Sequence, residues 1–175
     1  MSKIIDGIKY SDNMKKVEGT EDRKITSAVI PAGVKEIGGS WDGGAFHGCS
    51  SLVSVVIPEG VTKIGEKAFV ECTLLKSISL PSTLKEICTQ AFSGCTSLAS
   101  VVIPEGVTKI GKWAFEGCPS LESVEFGGTK AQWDAVKGKE ELFRYVPATS
   151  VKCADGEWQK PVLLVEAGVA VKLLD

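Results

Sequence analysis

The chain has 175 residues, of which 43% are hydrophobic and 24% charged, and its net charge is about −2 at pH 7. It is long enough to bury a substantial core, and its charge gives no strong attraction to nucleic acid or to an anionic membrane. No apolar run approaches the roughly 20 residues that cross a bilayer. Residues 1–7 lack the apolar stretch of a signal peptide, so an intracellular location and a surface location with a removed signal both stay open.

The N-terminal segment contains two short extended patches, one from Ile4 to Tyr10 and one from Met14 to Val17. Residues 11–13, Ser-Asp-Asn, lie between them and are typical of a turn. This pattern predicts a hairpin. We expect residues 1–24 to cap the N-terminal end of the domain that follows.

A short phrase, Ala-Phe-x-x-Cys, occurs four times at a step of 23 residues, beginning at Ala45, Ala68, Ala91 and Ala114. A fixed period of this size predicts stacked structural units, each burying the open face of its neighbour. The four phenylalanines should therefore form one aromatic column inside the coil, with the cysteines in a second column beside it: Phe46, Phe69, Phe92 and Phe115, then Cys49, Cys72, Cys95 and Cys118.

Each unit also carries a Leu-x-Ser-Val-x-Ile pattern, rich in β-branched residues that favour strands. It predicts strands near residues 25–30, 52–57, 75–80, 98–103 and 121–126, each paired in parallel with the next. A second pattern, for example Val61-x-x-Ile64, predicts a short extended turn leading into one helical turn. The predicted fold class is an α/β repeat. It is a right-handed solenoid of 23-residue coils with a parallel sheet on one face, and residues 25–126 form the repeats within a single domain spanning 1–175.

The six cysteines fit a structural role better than a chemical one. No Cys-x-x-Cys pair is present, and a column of equivalent side chains does not converge on one point as zinc ligands must. Free cysteine is among the most buried residue types. Neighbouring rungs lie close enough for disulfides, but parallel side chains in a packed ladder rarely reach the required dihedral angle. We therefore expect neither a metal nor a cofactor.

The first unit is four residues longer than the others, and the extra length falls in residues 39–44, which include Trp41 and Asp42. Insertions in repeats map to surface loops, which can be functional. His47, the only histidine, occupies a variable position of its repeat and is expected to be exposed. Glu59 and Glu105 recur at one repeat position, which favours solvated loop charges over catalytic acids.

The C-terminal region, residues 127–160, is predicted to be a second cap. Thr129 is a suitable N-cap for a helix through Trp133 and Val136, reaching toward Leu142, and residues 150–153 should form a final strand. Residues 161–175 are mostly apolar. They are expected either to dock on the cap as a terminal hairpin or to form a sticky tail that pairs with another chain.

The repeat pattern Ile-Pro-x-x-Val-x-x-Ile-Gly-x-x-Ala-Phe-x-Gly-Cys-x-Ser-Leu-x-Ser-Val resembles the BspA-like, or Treponema-type, leucine-rich repeat. The match runs from about Ile25 to Phe126, and both flanks resemble caps of that family. The resemblance implies a solenoid of bacterial or protist surface proteins that adhere to matrix proteins, host cells or other bacteria. The family has no shared catalytic residues, so the resemblance implies none in this chain. Cys88, Glu71 and the insertion at residues 39–44 depart from the pattern.

The outward positions of the predicted strands form two columns, and solenoids commonly bind through such a face. The columns are Ser27, Ser54, Ser77, Ser100 and Ser123, and Val29, Val56, Ser79, Val102 and Glu125. This polar-neutral face with an apolar stripe suits a protein, for example a matrix or cell-surface protein, better than nucleic acid, and no membrane insertion is expected. The serines could instead merely fit a narrow strand. One alternative is a self-assembling structural or intracellular scaffold protein that associates through residues 161–175. Another is an enzyme, but the sequence contains no catalytic motif.

Overall fold

The protein is described from a computed structural model that covers residues 3–38, 43–143 and 145–160, with the backbone of two short strands, Val165–Glu166 and Val169–Ala170. Its centre is a solenoid of about six stacked coils with a spacing of about 23 residues. Ser123 pairs with Ser100 and Val124 with Val101, so equivalent repeat positions lie directly above one another. The predicted fold class is confirmed.

Two sheets line the solenoid. The first, which we call the serine sheet, has a two-stranded part, Ser27–Val29 and Ser54–Val56, and a separate four-stranded part, Ser100–Ile103, Ser123–Phe126, Ser150–Cys153 and Gly156–Gln159. The second, which we call the lysine sheet, has seven strands: Lys3–Ile5, Ile8–Tyr10, Lys16–Thr20, Glu36–Ile37, Lys63–Ile64, Glu86–Ile87 and Lys109–Ile110.

The lysine sheet replaces the extended turn that the sequence predicts between the strand and the helical turn. Four of its strands are only two residues long, too short to leave a two-residue alternation in the sequence. They pair in parallel from coil to coil, as Lys63 does with both Glu36 and Glu86. The 23-residue repeat is therefore stabilised by two parallel ladders.

The N-terminal cap has three strands, one more than predicted. Asp6 and Gly7, with φ angles of 50° and 73°, turn the chain between the first two, and an Asp-Gly pair is typical of such tight hairpins. The third strand, Lys16–Thr20, pairs in parallel with Glu36–Ile37. The cap thereby covers the end of the lysine sheet that would otherwise be open.

The predicted strand near residues 75–80 does not form ladder pairs in the described part of the chain. The alternation of the strand is kept, since Leu75, Ile78 and Leu80 are buried while Ser77 and Ser79 are exposed. Ser79 stands where the neighbouring coils have Val56 and Val102, so this coil has only one β-branched residue in three and a weaker strand preference. The serine sheet is interrupted at this coil.

The phenylalanine column is confirmed. Successive rings of Phe46, Phe69, Phe92 and Phe115 stack with centroids 5.2–5.3 Å apart and planes within 12° of parallel. The four repeat cysteines are fully buried free thiols. Three of them donate a hydrogen bond to the phenylalanine carbonyl of the preceding coil, as Cys95 Sγ does to Phe69 O at 3.1 Å. The thiols thus bond one coil to the next without a disulfide.

The C-terminal cap begins as predicted, with Thr129 as the N-cap of the helix Lys130–Ala135 and Gln132 completing a capping box. The helix is shorter than predicted, and a 3-10 helix, Lys139–Phe143, follows it. The helix Lys130–Ala135 ends because Lys137 joins the lysine sheet. The N–H of Lys137 donates to Thr108 O, and its carbonyl accepts from Ile110 N. Trp133 is fully buried against Phe126. Neither described helix has the length and apolar content of a membrane span.

Candidate protein-binding face

The outward serines lie at one repeat position of successive coils, and four of them belong to the serine sheet. Ser27 pairs with Ser54, and Ser100 pairs with Ser123, so each pair lies on adjacent strands in register. All of the predicted serines are exposed, including Ser77 in the coil that lacks strand pairing. Such small side chains leave room for a partner to approach the sheet. We name this surface, formed by the serines and the column beside it, the serine face.

The second column of the serine face carries exposed β-branched apolar residues. Val29, Val56 and Val102 are 69%, 58% and 53% exposed, and Val29 pairs with Val56 on the adjacent strand. Ser79 interrupts the stripe. At its C-terminal end Glu125 is half-buried and its carboxylate lies 3.2 Å from Lys152 Nζ. The face therefore changes from apolar to charged along the axis of the solenoid.

The N-terminal part of the serine face is the more apolar part. Val53, directly before Ser54, is also exposed, at 51%. Single exposed apolar side chains are normal on a protein surface. An apolar group with polar residues around it is typical of an interaction site. Here Val29 and Val56 lie on adjacent strands, and the exposed serines Ser27 and Ser54 lie beside them.

The other predicted surface features stand outside this face. Trp41 and Asp42 of the insertion lie outside the described residues. His47 is half-buried, more than its variable repeat position predicts, and its Nδ1 is buried without a hydrogen-bond partner in the described part of the chain. It lines a recess of about 190 Å³ together with Lys9, Arg23 and neighbouring residues of the N-terminal cap.

Glu59, one of the recurring carboxylates, stabilises the turn of the next coil. Glu59 Oε1 and Oε2 accept hydrogen bonds from the backbone N–H and the hydroxyl of Ser82 at 3.0 Å, and Oε2 accepts a longer one from Thr83 N. These bonds lower the pKa of Glu59, so the group stays ionised and is unsuited to donating a proton. Across the described residues, no three His, Cys, Asp or Glu side chains are grouped so that they could hold a metal ion.

The thiols are held in the neutral form. Burial raises the pKa of Cys49 to about 11 and that of Cys118 to about 12, and it raises the pKa of Cys72 and Cys95 as well. Half-buried Cys88 has its pKa raised to about 11, first by burial and then by the nearby Glu86 carboxylate. Because the thiolate is the nucleophile, this environment disfavours nucleophilic chemistry.

The sequence analysis did not predict one set of surface residues, the lysines that line one side of the solenoid. The lysines of the lysine sheet are far apart in the chain, but the coils superpose them. A signal was present, because the residues before the Ile-Gly or Ile-Cys pair alternate from coil to coil: Lys35-Glu36, Thr62-Lys63, Lys85-Glu86 and Thr108-Lys109. Each coil therefore contributes one lysine to this side of the solenoid.

Comparison with known proteins matches this architecture. Six copies of the BspA type leucine rich repeat region match residues 20–136 of the chain, two more than the four copies of the Ala-Phe-x-x-Cys phrase. None of the curated proteins compared with the chain matches it.

Three solved structures are similar to the chain. A leucine rich cell surface protein from Faecalibacterium prausnitzii is 30% identical, with a TM-score of 0.65 over 78% of this chain and 42% of that one. The pneumococcal vaccine antigen PcpA is 29% identical, with a TM-score of 0.65 over 73% of this chain and 31% of that one. The leucine rich repeat protein of T. pallidum is 26% identical, with a TM-score of 0.55 over 67% of each chain. The match thus spans less than half the length of the first two proteins.

Proposed function

The chain belongs to the BspA-type leucine-rich repeat family, and we propose that it is a non-catalytic module that binds a protein through its serine face. The observation that carries this proposal is the exposed valine stripe, Val29, Val56 and Val102, set among small serines. An apolar stripe set among small polar side chains suits an extended segment of a partner protein. Solenoids also offer long continuous faces for such partners.

Adhesion at the cell surface is the biological setting of this proposal. It is supported by the Faecalibacterium protein, which is described as a cell surface protein, and by the vaccine antigen PcpA. A partner of this kind would be a matrix or cell-surface protein. The buried, neutral thiols and the structurally engaged Glu59 support a binding role over a catalytic one.

The serine face is tested by the double variant Ser77→Arg/Ser100→Arg, which places two large cations on consecutive coils of the face. A panel of immobilised matrix proteins would be probed with the wild type and the variant by surface plasmon resonance. We expect the wild type to bind at least one of them and the variant to lose that binding with an unchanged thermal unfolding midpoint.

The matched control is Ser50→Arg/Thr96→Arg, which adds the same charge at exposed positions in the turns beyond the phenylalanine column. This variant should bind as the wild type does. Equal binding by the Ser77→Arg/Ser100→Arg variant would remove the serine face as the site, and failure of the wild type to bind any matrix protein would contradict the adhesive role.

A second role, self-association, is supported by residues 161–175. This segment is apolar apart from Glu166, Lys172 and Asp175, and its backbone pairs Val165–Glu166 with Val169–Ala170 in an antiparallel hairpin. A short apolar hairpin is marginally stable alone and gains stability by pairing with another strand or surface. We propose that it mediates contact between copies of the chain.

A further inference from the structure

The lysine sheet presents two adjacent columns of polar side chains that run along the solenoid axis. The strand column contains Lys16, Glu36, Lys63, Glu86, Lys109 and Lys137, each paired with the next across parallel strands. The preceding column contains Lys15, Lys35, Thr62, Lys85 and Thr108, aligned by a chain of backbone N–H to carbonyl bonds from each coil to the one before. We call these residues together the basic stripe.

The lysines of the basic stripe differ in how they are neutralised. Lys16 and Lys63 share the Glu36 carboxylate at 3.3 and 3.9 Å, and Lys109 pairs with Glu86 at 2.7 Å. Lys35, Lys85 and Lys137 are exposed and make no ion pair with any described residue. Two of these extend along the axis, since Lys35 Nζ lies over Gly60 and Lys85 Nζ over Gly106 of the following coil.

The stripe is strongly basic on an acidic protein. It has seven lysines and two glutamates, an excess of five positive charges, whereas the whole chain has a net charge of −2. The excess remains four when the flanking turn residues are included, namely Glu59, Glu66, Lys67, Glu105 and Lys112. Such a separation of charge raises the local concentration of anions at one side of a protein.

We propose that the basic stripe binds a linear sulfated polysaccharide that lies along the solenoid axis. The stripe has six rows, and at about 4.8 Å per row it is roughly 24 Å long. It is two residues wide and offers about one lysine per row, which matches a flexible chain with anionic groups spaced along its length. The serine face lies on the other sheet and shares no residue with the basic stripe.

The same geometry disfavours nucleic acid. Duplex DNA carries its charges on two backbones, one charge per about 1.7 Å of axis, whereas the stripe is only two residues wide. Proteins that bind single strands stack the bases on aromatic side chains, and neither column of the stripe contains an aromatic residue. A sulfated polysaccharide needs only the regularly spaced cations.

The experiment measures binding of a fluorescent heparin dodecasaccharide by anisotropy between 50 and 300 mM NaCl. The wild type should bind saturably, with an affinity that falls as salt rises. Lys35→Glu/Lys85→Glu should weaken binding about tenfold or more and flatten the salt dependence, because two cations contributing to counterion release are lost. Lys35→Gln/Lys85→Gln should give an intermediate loss. Thermal unfolding confirms that each variant is folded.

The matched control is Lys24→Glu/Lys76→Glu, which has the same net charge but changes exposed lysines outside the stripe. It should bind within about threefold of the wild type, because surface charges more than a Debye length away are largely screened. Absence of saturable binding at 50 mM salt, or an equal loss in the control, overturns the proposal. Tighter binding of an oligothymidine with the same number of charges overturns the choice of a polysaccharide.

Discussion

At the residue scale, glycine follows three of the four two-residue strands of the lysine sheet, at points where neighbouring coils approach closely. A Cβ at Gly111 would lie 2.3 Å from Thr89 N and 2.5 Å from the Cys88 carbonyl carbon, both backbone atoms. Such contacts cannot be relieved by rotating a side chain. Cys88 occupies the same repeat position in the preceding coil and is half-buried beside Glu86.

We predict that Gly111→Ala destabilises the protein by about 3 kcal/mol, the upper part of the range for overpacking. The cause is the backbone shift that the new methyl group forces between two coils. Gly19→Ala is the matched control, because a Cβ at Gly19 meets no atom within 4 Å, and it should change stability by less than about 0.5 kcal/mol. Urea unfolding followed by circular dichroism measures both. Equal effects of the two substitutions would contradict this account of the close approach.

At the scale of elements, the phenylalanine and cysteine columns are two of the buried columns inside the solenoid. Each thiol is fully buried, and the pKa of each is raised by burial, to about 11 for Cys49 and about 12 for Cys118. In the unfolded chain a cysteine ionises near pH 8.5. The folded state therefore retains thiol protons that the unfolded state loses, and stability must fall as pH rises above about 8.5.

We predict a decline in the free energy of unfolding between pH 9 and 11 of about 1.4 kcal/mol per pH unit for each of these thiols. Cys95→Ala should lower stability at pH 7, because it leaves a small cavity and removes a hydrogen bond to Phe69 O, but its decline should be shallower by that amount. Val101→Ala, a buried substitution without a thiol, should retain the wild-type slope. Urea titrations in reducing buffer measure all three, and parallel slopes for the two variants would refute the prediction.

The elements that the sequence predicts are those whose position is decided by packing inside one repeat. The phenylalanine column follows from a large apolar residue at one repeat position, and the start of the cap helix follows from the local hydrogen bonds of Thr129. The exposure of Val29, Val56 and Val102 follows from the alternation of a strand. These features need no information from distant residues.

The features that were not predicted depend on pairing between coils. The lysine sheet consists of two-residue strands that are recognisable only when coils are stacked, and the helix ends early because Lys137 pairs with a strand 28 residues before it. The basic stripe depends on the same stacking, since Lys35 and Lys85 are 50 residues apart in the chain. Local propensity carries no information about such contacts, so the sequence alone did not predict that these lysines lie side by side.

At the scale of the whole molecule, the protein has two long faces of different character between two caps. The serine face is apolar and polar-neutral at its N-terminal part, whereas the basic stripe collects lysines on the other sheet. One solenoid could hold a protein and a polysaccharide together, because the two surfaces do not share residues. The variant Ser77→Arg/Ser100→Arg should accordingly retain heparin binding, and Lys35→Glu/Lys85→Glu should retain protein binding.

Removing the C-terminal segment, residues 161–175, distinguishes a role in packing against the cap from a role in self-association. The hydrophobic core of the described residues ends at Trp158, and the bond from Lys160 N to Thr149 O closes the cap. We predict that a chain ending at Lys160 unfolds within about 2 °C of the full chain, since a shift of 4 °C or more would need roughly 1 kcal/mol or more of lost packing. Size-exclusion chromatography with light scattering should show a larger mass for the full chain and a monomer for the truncated one. An equal mass would refute self-association, and a midpoint lowered by more than about 5 °C would show that the segment docks on its own cap.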